Sequence, residues 1–216
     1  MTPAADSGLA ATIERQLRER IVAGELAPGE PLRQERLAQE FGASAIPVRE
    51  ALRRLERTGL VQFRPRRGAI VAEVSVDDAR EVAEMRAALE PLALAAAGPG
   101  QTPEHFERAR QAIAMADGSD DAAVWLASNR DFHHALYEPC RGPRLLATIQ
   151  DLWLASDRHL ILVWKQLDYL GKSQDEHREI LARCEARDIR GAVRQLRSHI
   201  AEAGAALIRL LGERGG

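Results

Sequence analysis

Phe41-Gly-Ala-Ser-Ala-Ile-Pro-Val-Arg-Glu-Ala-Leu52 decides the fold of the first third of this chain. Gly42 stops one apolar-periodic segment, and Ser44 is a good N-cap for the next. Pro47 falls in the first turn of that second helix, where its missing N–H costs nothing. Val48, Leu52 and Leu55 then share one face, while Ile46, Arg49 and Arg53 share the other. A helix, a tight turn and a second helix with outward arginines is the shape that enters a major groove.

Working outward, Leu9, Ile13, Leu17 and Ile21 recur every four residues, the apolar stripe of a first helix ending at Gly24. Ala27-Pro-Gly-Glu-Pro31 reads as a turn. Leu37, Ala38 and Phe41 mark a short second helix, which also carries Arg36. Beyond Gly59, Leu60–Arg64 and Ala69–Val71 are β-rich runs around Arg64-Pro-Arg-Arg-Gly68, so they predict a hairpin. Three helices and a hairpin describe a winged helix-turn-helix over residues 1–74. The opening Met1–Gly8 lacks the basic flank and apolar run of a signal peptide and reads as a loose polar tail.

After Glu73 the strand signals stop. Ser75-Val-Asp-Asp78 resembles a capping box opening a helix to about Ala97, and Gly98-Pro-Gly100 ends it. Thr102-Pro103, Asp117-Gly-Ser119, Gly142-Pro143, Ser173-Gln-Asp-Glu176 and Asp188 open five more. Residues 75–216 are therefore expected to form an all-α bundle of six helices, and the fold class is mainly α.

Charged residues at 29% and hydrophobic ones at 45% suit an ordinary soluble protein of 216 residues. The best candidate for a membrane span, Ala87–Ala97, is short and broken by Glu90 and Pro91, so no membrane partner is expected. Cys140 and Cys184 form no metal or disulfide pattern, which points to a reduced cytoplasm. Net charge is −2, yet Arg49–Arg67 holds seven Arg against two Glu. A basic patch on a mildly acidic protein favours a localised polyanion site. Ser44 and the free N–H groups beside it suit a phosphate, Arg49 and Arg53 reach bases or backbone, and Arg64, Arg66 and Arg67 reach a groove edge. The alternative is a solvated charged face.

Ile21-Val-Ala-Gly24, Pro28-Gly29, Leu37-Ala38, Ser44, Pro47-Val-Arg-Glu-Ala-Leu52, Leu55-Glu56, Gly59-Leu60 and Gly68 resemble the GntR family of winged-helix transcription regulators. The resemblance implies that Ser44 and Arg49 touch DNA and that Gly68 is the wing tip. Where the family usually places an arginine after this serine, the chain has Ala45. An arginine–guanine pair is worth about 1–3 kcal/mol of discrimination. The operator is thus expected to depart from the family's common one, with Ala45 or Ile46 touching a thymine methyl instead.

In the helical half, Asn129 and His133 are four apart on one helix face, while His177 and His199 belong to two further helices. Three imidazoles and an amide oxygen can hold one divalent ion with positions left open. Taken singly, each is more simply a packed or capped side chain, the reading given to His105, His134 and His159. Asn129-Arg-Asp-Phe-His133-His-Ala-Leu136, Glu176-His177 with Ile180-Leu181, Gly191-Ala192 and His199 resemble the FCD-type ligand-binding domain of FadR-type GntR regulators, in its six-helix, VanR-like form. That resemblance implies a divalent ion of the zinc, nickel or manganese kind on Asn129, His133, His177 and His199. It also implies a carboxylate effector bound with the ion's help. Asn129 stands where Asp is common, and a neutral oxygen is a poorer ligand for a hard cation.

Arg86 shares the apolar stripe of Val82, Leu89 and Ala93, so it needs an anion. That anion is either the effector's carboxylate or one of the domain's own acids. Trp125, Trp153 and Trp164 read as core. The main reading is a cytoplasmic, homodimeric regulator, with repression relieved by a small organic acid, on double-stranded DNA carrying an inverted repeat. The rivals are a metal-dependent hydrolase with a DNA-targeting head and a purely structural helical dimer.

Overall fold

The computed structural model describes residues 3–73, 75–167 and 169–214, with side chains throughout except at 3–7, 158, 162, 165, 166 and 214. The chain folds as two compact units, Met1–Val74 and Ser75–Gly216.

The first unit runs α1 (Pro3–Ala23), α2 (Gln34–Glu40), α3 (Ala45–Arg57), β1 (Val61–Arg64) and β2 (Gly68–Val71). Helix α1 packs against α3, and Ile13, Leu17, Leu37, Val48, Leu52 and Leu55 meet in one buried cluster. The periodic positions read from sequence are those that turn inward. Two expectations change. The backbone is helical from Pro3, so residues 3–8 of the segment read as a polar tail extend α1, with proline in a first turn that tolerates it, while Met1 and Thr2 lie outside the described residues. The turn before α2 also does more than reverse the chain. Gly29 and Leu32 donate to Val71 and Ala69, and Val71 donates back to Glu30, at 2.8–2.9 Å. The hairpin therefore has a short third edge at Pro31, a residue whose missing N–H is tolerated only on an edge.

The antiparallel register pairs Val61 with Val71 and Arg64 with Gly68. Closing that loop takes left-handed backbone at Arg66 (φ 64°) and Gly68 (φ 72°). Glycine adopts this freely; arginine does so at a cost of roughly 1–2 kcal/mol.

The second unit holds six α-helices among the described residues: α4 (Val76–Ala97), α5 (Pro103–Asp117), α6 (Ala122–Tyr137), α7 (Pro143–Leu167), α8 (Leu170–Glu185) and α9 (Ile189–Arg214). A 3-10 turn at Gly98–Gly100 follows α4. Ser75 accepts from the Asp78 N–H at 3.0 Å, and Asp188 accepts from the Gly191 N–H at 2.9 Å, so the expected caps form at α4 and α9. Helix α5 is capped through His105, whose Nδ1 accepts from the Thr102 N–H at 3.1 Å. The expected box at Ser173–Glu176 does not form. Helix α8 starts three residues earlier, at Leu170, and Ser173 is buried within it.

Helix α4 packs along α9 and α7, and α5 along α6 and α8. A Cβ at Gly204 of α9 would lie 2.6 Å from the Ala83 Cβ of α4, which shows how closely those two helices approach. Phe132, Leu136, Tyr137, Ile149, Trp153, Ile180 and Leu196 form the main core, and His133 and His177 pack against its Phe132 ring.

Candidate DNA-reading face and buried histidine centre

Helix α3 buries Pro47, Val48, Ala51, Leu52 and Leu55 and leaves Ser44, Ala45, Ile46, Arg49 and Arg53 outward. Ile46 is 58% exposed, which leaves its apolar side chain free to meet a ligand. Ser44 occupies the N-cap position, but its side chain makes no capping bond, contrary to expectation. Ser44, Ala45 and Ile46 are exposed together at the start of α3. Arg36, on α2, and Arg66, Arg67 and Gly68 at the hairpin tip are exposed as well.

Two arginines are already engaged. Arg53 donates to Glu56 at 2.7 Å and lies 4.0 Å over the Phe63 ring of β1, so it braces the helix against the hairpin. Arg64 donates to Gln62 at 3.2 Å. These contacts lie at the surface, where an ion pair is worth little.

The second unit brings together residues far apart in sequence. His133 of α6, His177 of α8 and His199 of α9 are all buried, and one ligand atom from each lies within 4.8 Å of the others. Asn129 is buried one turn before His133 on α6. His105, His134 and His159 take no part in the cluster. His134 is exposed, and His159 is buried 3.7 Å from Asp78.

Each cluster histidine is held by a partner on its Nδ1. Glu176 Oε2 lies 2.7 Å from His199 Nδ1. A carboxylate only accepts, so His199 carries its proton on Nδ1. Gln174 Oε1 lies 2.8 Å from His177 Nδ1, and the same amide donates through Nε2 to Ile113 O and Asp117 Oδ1. Those two acceptors fix the amide's orientation, so its oxygen faces His177 and that Nδ1 is also the donor. His133 Nδ1 lies 3.1 Å from the Tyr137 hydroxyl.

Burial holds His133 and His177 well below the usual imidazole range, and their histidine neighbours and Arg86 add to the effect. A neutral ring that carries its proton on Nδ1, as His177 does, keeps a lone pair on Nε2. The Nε2 atoms of His133 and His177 are buried without a hydrogen-bond partner among the described residues. Converging acceptors with no donor are costly, and a cation would satisfy them together. The donor set fits a divalent ion of the borderline kind that favours imidazole.

Arg86 has found an internal anion. Its Nε donates to Glu90 Oε1 at 2.6 Å, and its Nη1 to the Ser156 hydroxyl at 3.3 Å. Both ends of the Arg86–Glu90 pair are buried. Beside them Arg86, Ser156, Val82, Val163, Ile200 and Gly204 enclose a cavity of about 30 Å³, room for little more than a water.

Glu90, Tyr137, Gln174 and Glu176 were not singled out as site residues from sequence. Spacing carried a faint signal, since Glu90 is four residues after Arg86, Tyr137 four after His133, and Glu176 precedes His177. Trp153 and Trp164 are buried as expected, while Trp125 is half-buried and donates to Ser119 O at 2.6 Å. Trp153 also walls the centre, its ring 6.2 Å from that of His133. Both cysteines are free and buried. Burial pushes the Cys184 thiol up to about 11, so it stays protonated.

Residues 9–71 match the bacterial regulatory proteins, gntR family, and residues 81–202 match the FCD domain. The chain is 31% identical over 211 residues to an uncharacterized HTH-type transcriptional regulator, BphR, of Paraburkholderia xenovorans LB400, covering 94% of this chain and 85% of the relative. It is 29% identical over 196 residues to a probable D-xylose utilization operon transcriptional repressor of Paenarthrobacter nicotinovorans, covering 88% and 86%. The solved structure of Escherichia coli McbR/YncC superposes with a TM-score of 0.77 at 26% identity, covering 96% of this chain and 99% of that one. These relatives are regulators rather than enzymes, which sets the hydrolase reading aside. The chain belongs to the GntR family of transcription regulators, with an FCD domain as its helical half.

Proposed function

We propose that this regulator is a cytoplasmic, homodimeric repressor that releases an inverted-repeat operator when a small organic acid binds beside a metal ion in its helical domain. The observation that carries the reading is the convergence of three buried imidazoles, each with a partner at Nδ1, which leaves Nε2 as the nitrogen available to an ion. His133, His177 and His199 would hold a zinc-, nickel- or manganese-like ion, with Asn129 as the fourth ligand. When bound, the ion supplies positive charge and open positions to a carboxylate oxygen.

Two features support an acidic effector. Among the described residues Arg86 Nη1 reaches a hydroxyl, at 3.3 Å, beside the small cavity, so a ligand oxygen can replace Ser156 while the Glu90 pair stays intact. The indole N–H of Trp153 is buried without an acceptor among the described residues. With neutral Asn129 in place of an acid, the ion's charge is left for the effector to balance.

At the DNA, Ser44 and Arg49 of α3 are assigned to phosphate and base contacts, with Ala45 and Ile46 against thymine methyls. Arg36, Arg66 and Arg67 line the backbone, Gly68 lets the wing turn close to it, and Arg53 and Arg64 exchange their present partners for phosphate.

A mobility-shift titration with DNA flanking the protein's own gene tests both halves. Wild-type protein should bind far more tightly than an Arg49→Ala, Arg66→Ala, Arg67→Ala variant; equal binding rejects the DNA assignment. Small carboxylates should release metal-loaded wild-type protein but not a His177→Ala, His199→Ala variant. Release of both alike would reject the metal-linked effector site.

A further inference from the structure

One hydrogen bond in the histidine centre is left open by distance alone. His133 Nδ1 and the Tyr137 hydroxyl are 3.1 Å apart, and each can donate or accept. If the hydroxyl donates, His133 must carry its proton on Nε2, the nitrogen without a hydrogen-bond partner among the described residues. If the ring donates, Nε2 keeps its lone pair.

The next links settle the direction. The Tyr137 hydroxyl lies 2.9 Å from Glu90 Oε2, and a carboxylate offers no proton in return. Arg86 secures that carboxylate from the other side, through the 2.6 Å bond to Oε1. All four side chains are buried, so the hydroxyl is matched to partners within the protein rather than to bulk solvent. Tyr137 has one proton and spends it on Glu90, so its oxygen accepts from His133.

We infer that Arg86, Glu90 and Tyr137 form a positioning relay that sets the tautomer of His133 and thereby decides whether its Nε2 can take a metal ion. The inference rests on the metal reading of the centre proposed above, but the tautomer itself is a property of the metal-free protein. The relay also gives the Arg86–Glu90 pair a role beyond self-neutralisation. Outer-shell partners of this kind usually tune metal affinity by about 10–100-fold.

Glu90→Gln makes the relay run backward. Arg86 only donates, so it holds the glutamine carbonyl and turns the NH2 toward Tyr137. The hydroxyl must then accept from that NH2 and donate to His133 Nδ1, forcing the proton of His133 onto Nε2. A purely structural glutamate would leave the tautomer where it was.

The test uses the full chain with 15N-labelled histidine, without metal, read by long-range 1H–15N correlation and assigned with a His133→Gln variant. Wild-type His133 should be the Nδ1–H form and Glu90→Gln the Nε2–H form. Because Glu90 Oε2 also lies 3.8 Å from His133 Nδ1, the fallback if Glu90→Gln does not fold is the Arg86→Met, Glu90→Leu pair, which leaves the Tyr137 hydroxyl no acceptor but His133 Nδ1 and should also give the Nε2–H form. Retention of the Nδ1–H form in whichever variant folds overturns the relay. Co2+ titration, followed by its visible absorption, forms the second arm, with affinity expected to fall about 10–100-fold in either variant. Variants that bind Co2+ as wild type does overturn the relay and leave the metal site standing. Wild-type protein that binds no Co2+ overturns the metal reading, and with it the relay's link to metal, while the tautomer data still decide the hydrogen-bond direction.

Discussion

Arg86 and Glu90 stand one turn apart on α4, their side chains joined at 2.6 Å and both buried. Removing one member of such a pair strands a charge and costs about 3–5 kcal/mol, whereas replacing both with apolar residues is often neutral. Glu90→Ala is therefore expected to lower the urea midpoint sharply, and Arg86→Met, Glu90→Leu to recover most of the loss. A double variant no more stable than Glu90→Ala would show that the pair's polar partners, Ser156 and Tyr137, hold the region instead.

His133 and His177 bear on pH dependence. Their folded-state values lie well below the usual range, chiefly through burial, so the unfolded chain binds protons that the folded chain refuses. The stability that these two groups contribute is complete above the unfolded value, about 6.5, and is lost as pH falls below it. Each histidine adds a slope of up to about 1.4 kcal/mol per pH unit. Chemical unfolding of metal-free protein at pH 7.5 and 5.5 should show the second condition weaker, with the difference reduced in His133→Gln. A flat profile for the wild type contradicts neutral buried rings.

Arg66 separates DNA contact from folding. Its φ of 64° suits glycine better than arginine, so Arg66→Gly should leave the melting temperature unchanged or raise it. Loss of one phosphate contact should reduce the slope of log affinity against log salt by about 1. An unchanged slope would remove Arg66 from the interface.

Ala45 is exposed at the start of α3 beside Ser44. Ala45→Arg should shift base preference toward guanine at one operator position by about 1–3 kcal/mol. Selection of bound sequences from a randomised pool, wild type against variant, measures this. Identical selected sequences would place residue 45 away from the bases.

The local part of this structure was legible in the chain. Gly42, Ser44 and Pro47 punctuate a helix start, and the four-residue spacing of Leu9, Ile13, Leu17 and Ile21 marks a buried stripe, because capping and amphipathicity act over a single turn. The placing of Asn129 and His133 on one face follows from helix pitch alone. Tertiary packing decided the rest. Ser173 looks like a cap by sequence but is buried inside α8, and the segment around Pro31 pairs with β2 although proline argues against a strand. Arg86 required an anion on any reading of its apolar stripe, but only the packed bundle identifies it as Glu90 and carries the link through Tyr137 to His133. Those contacts join α4 to α6 across dozens of residues. No local pattern encodes them, because they depend on how these two helices settle against one core.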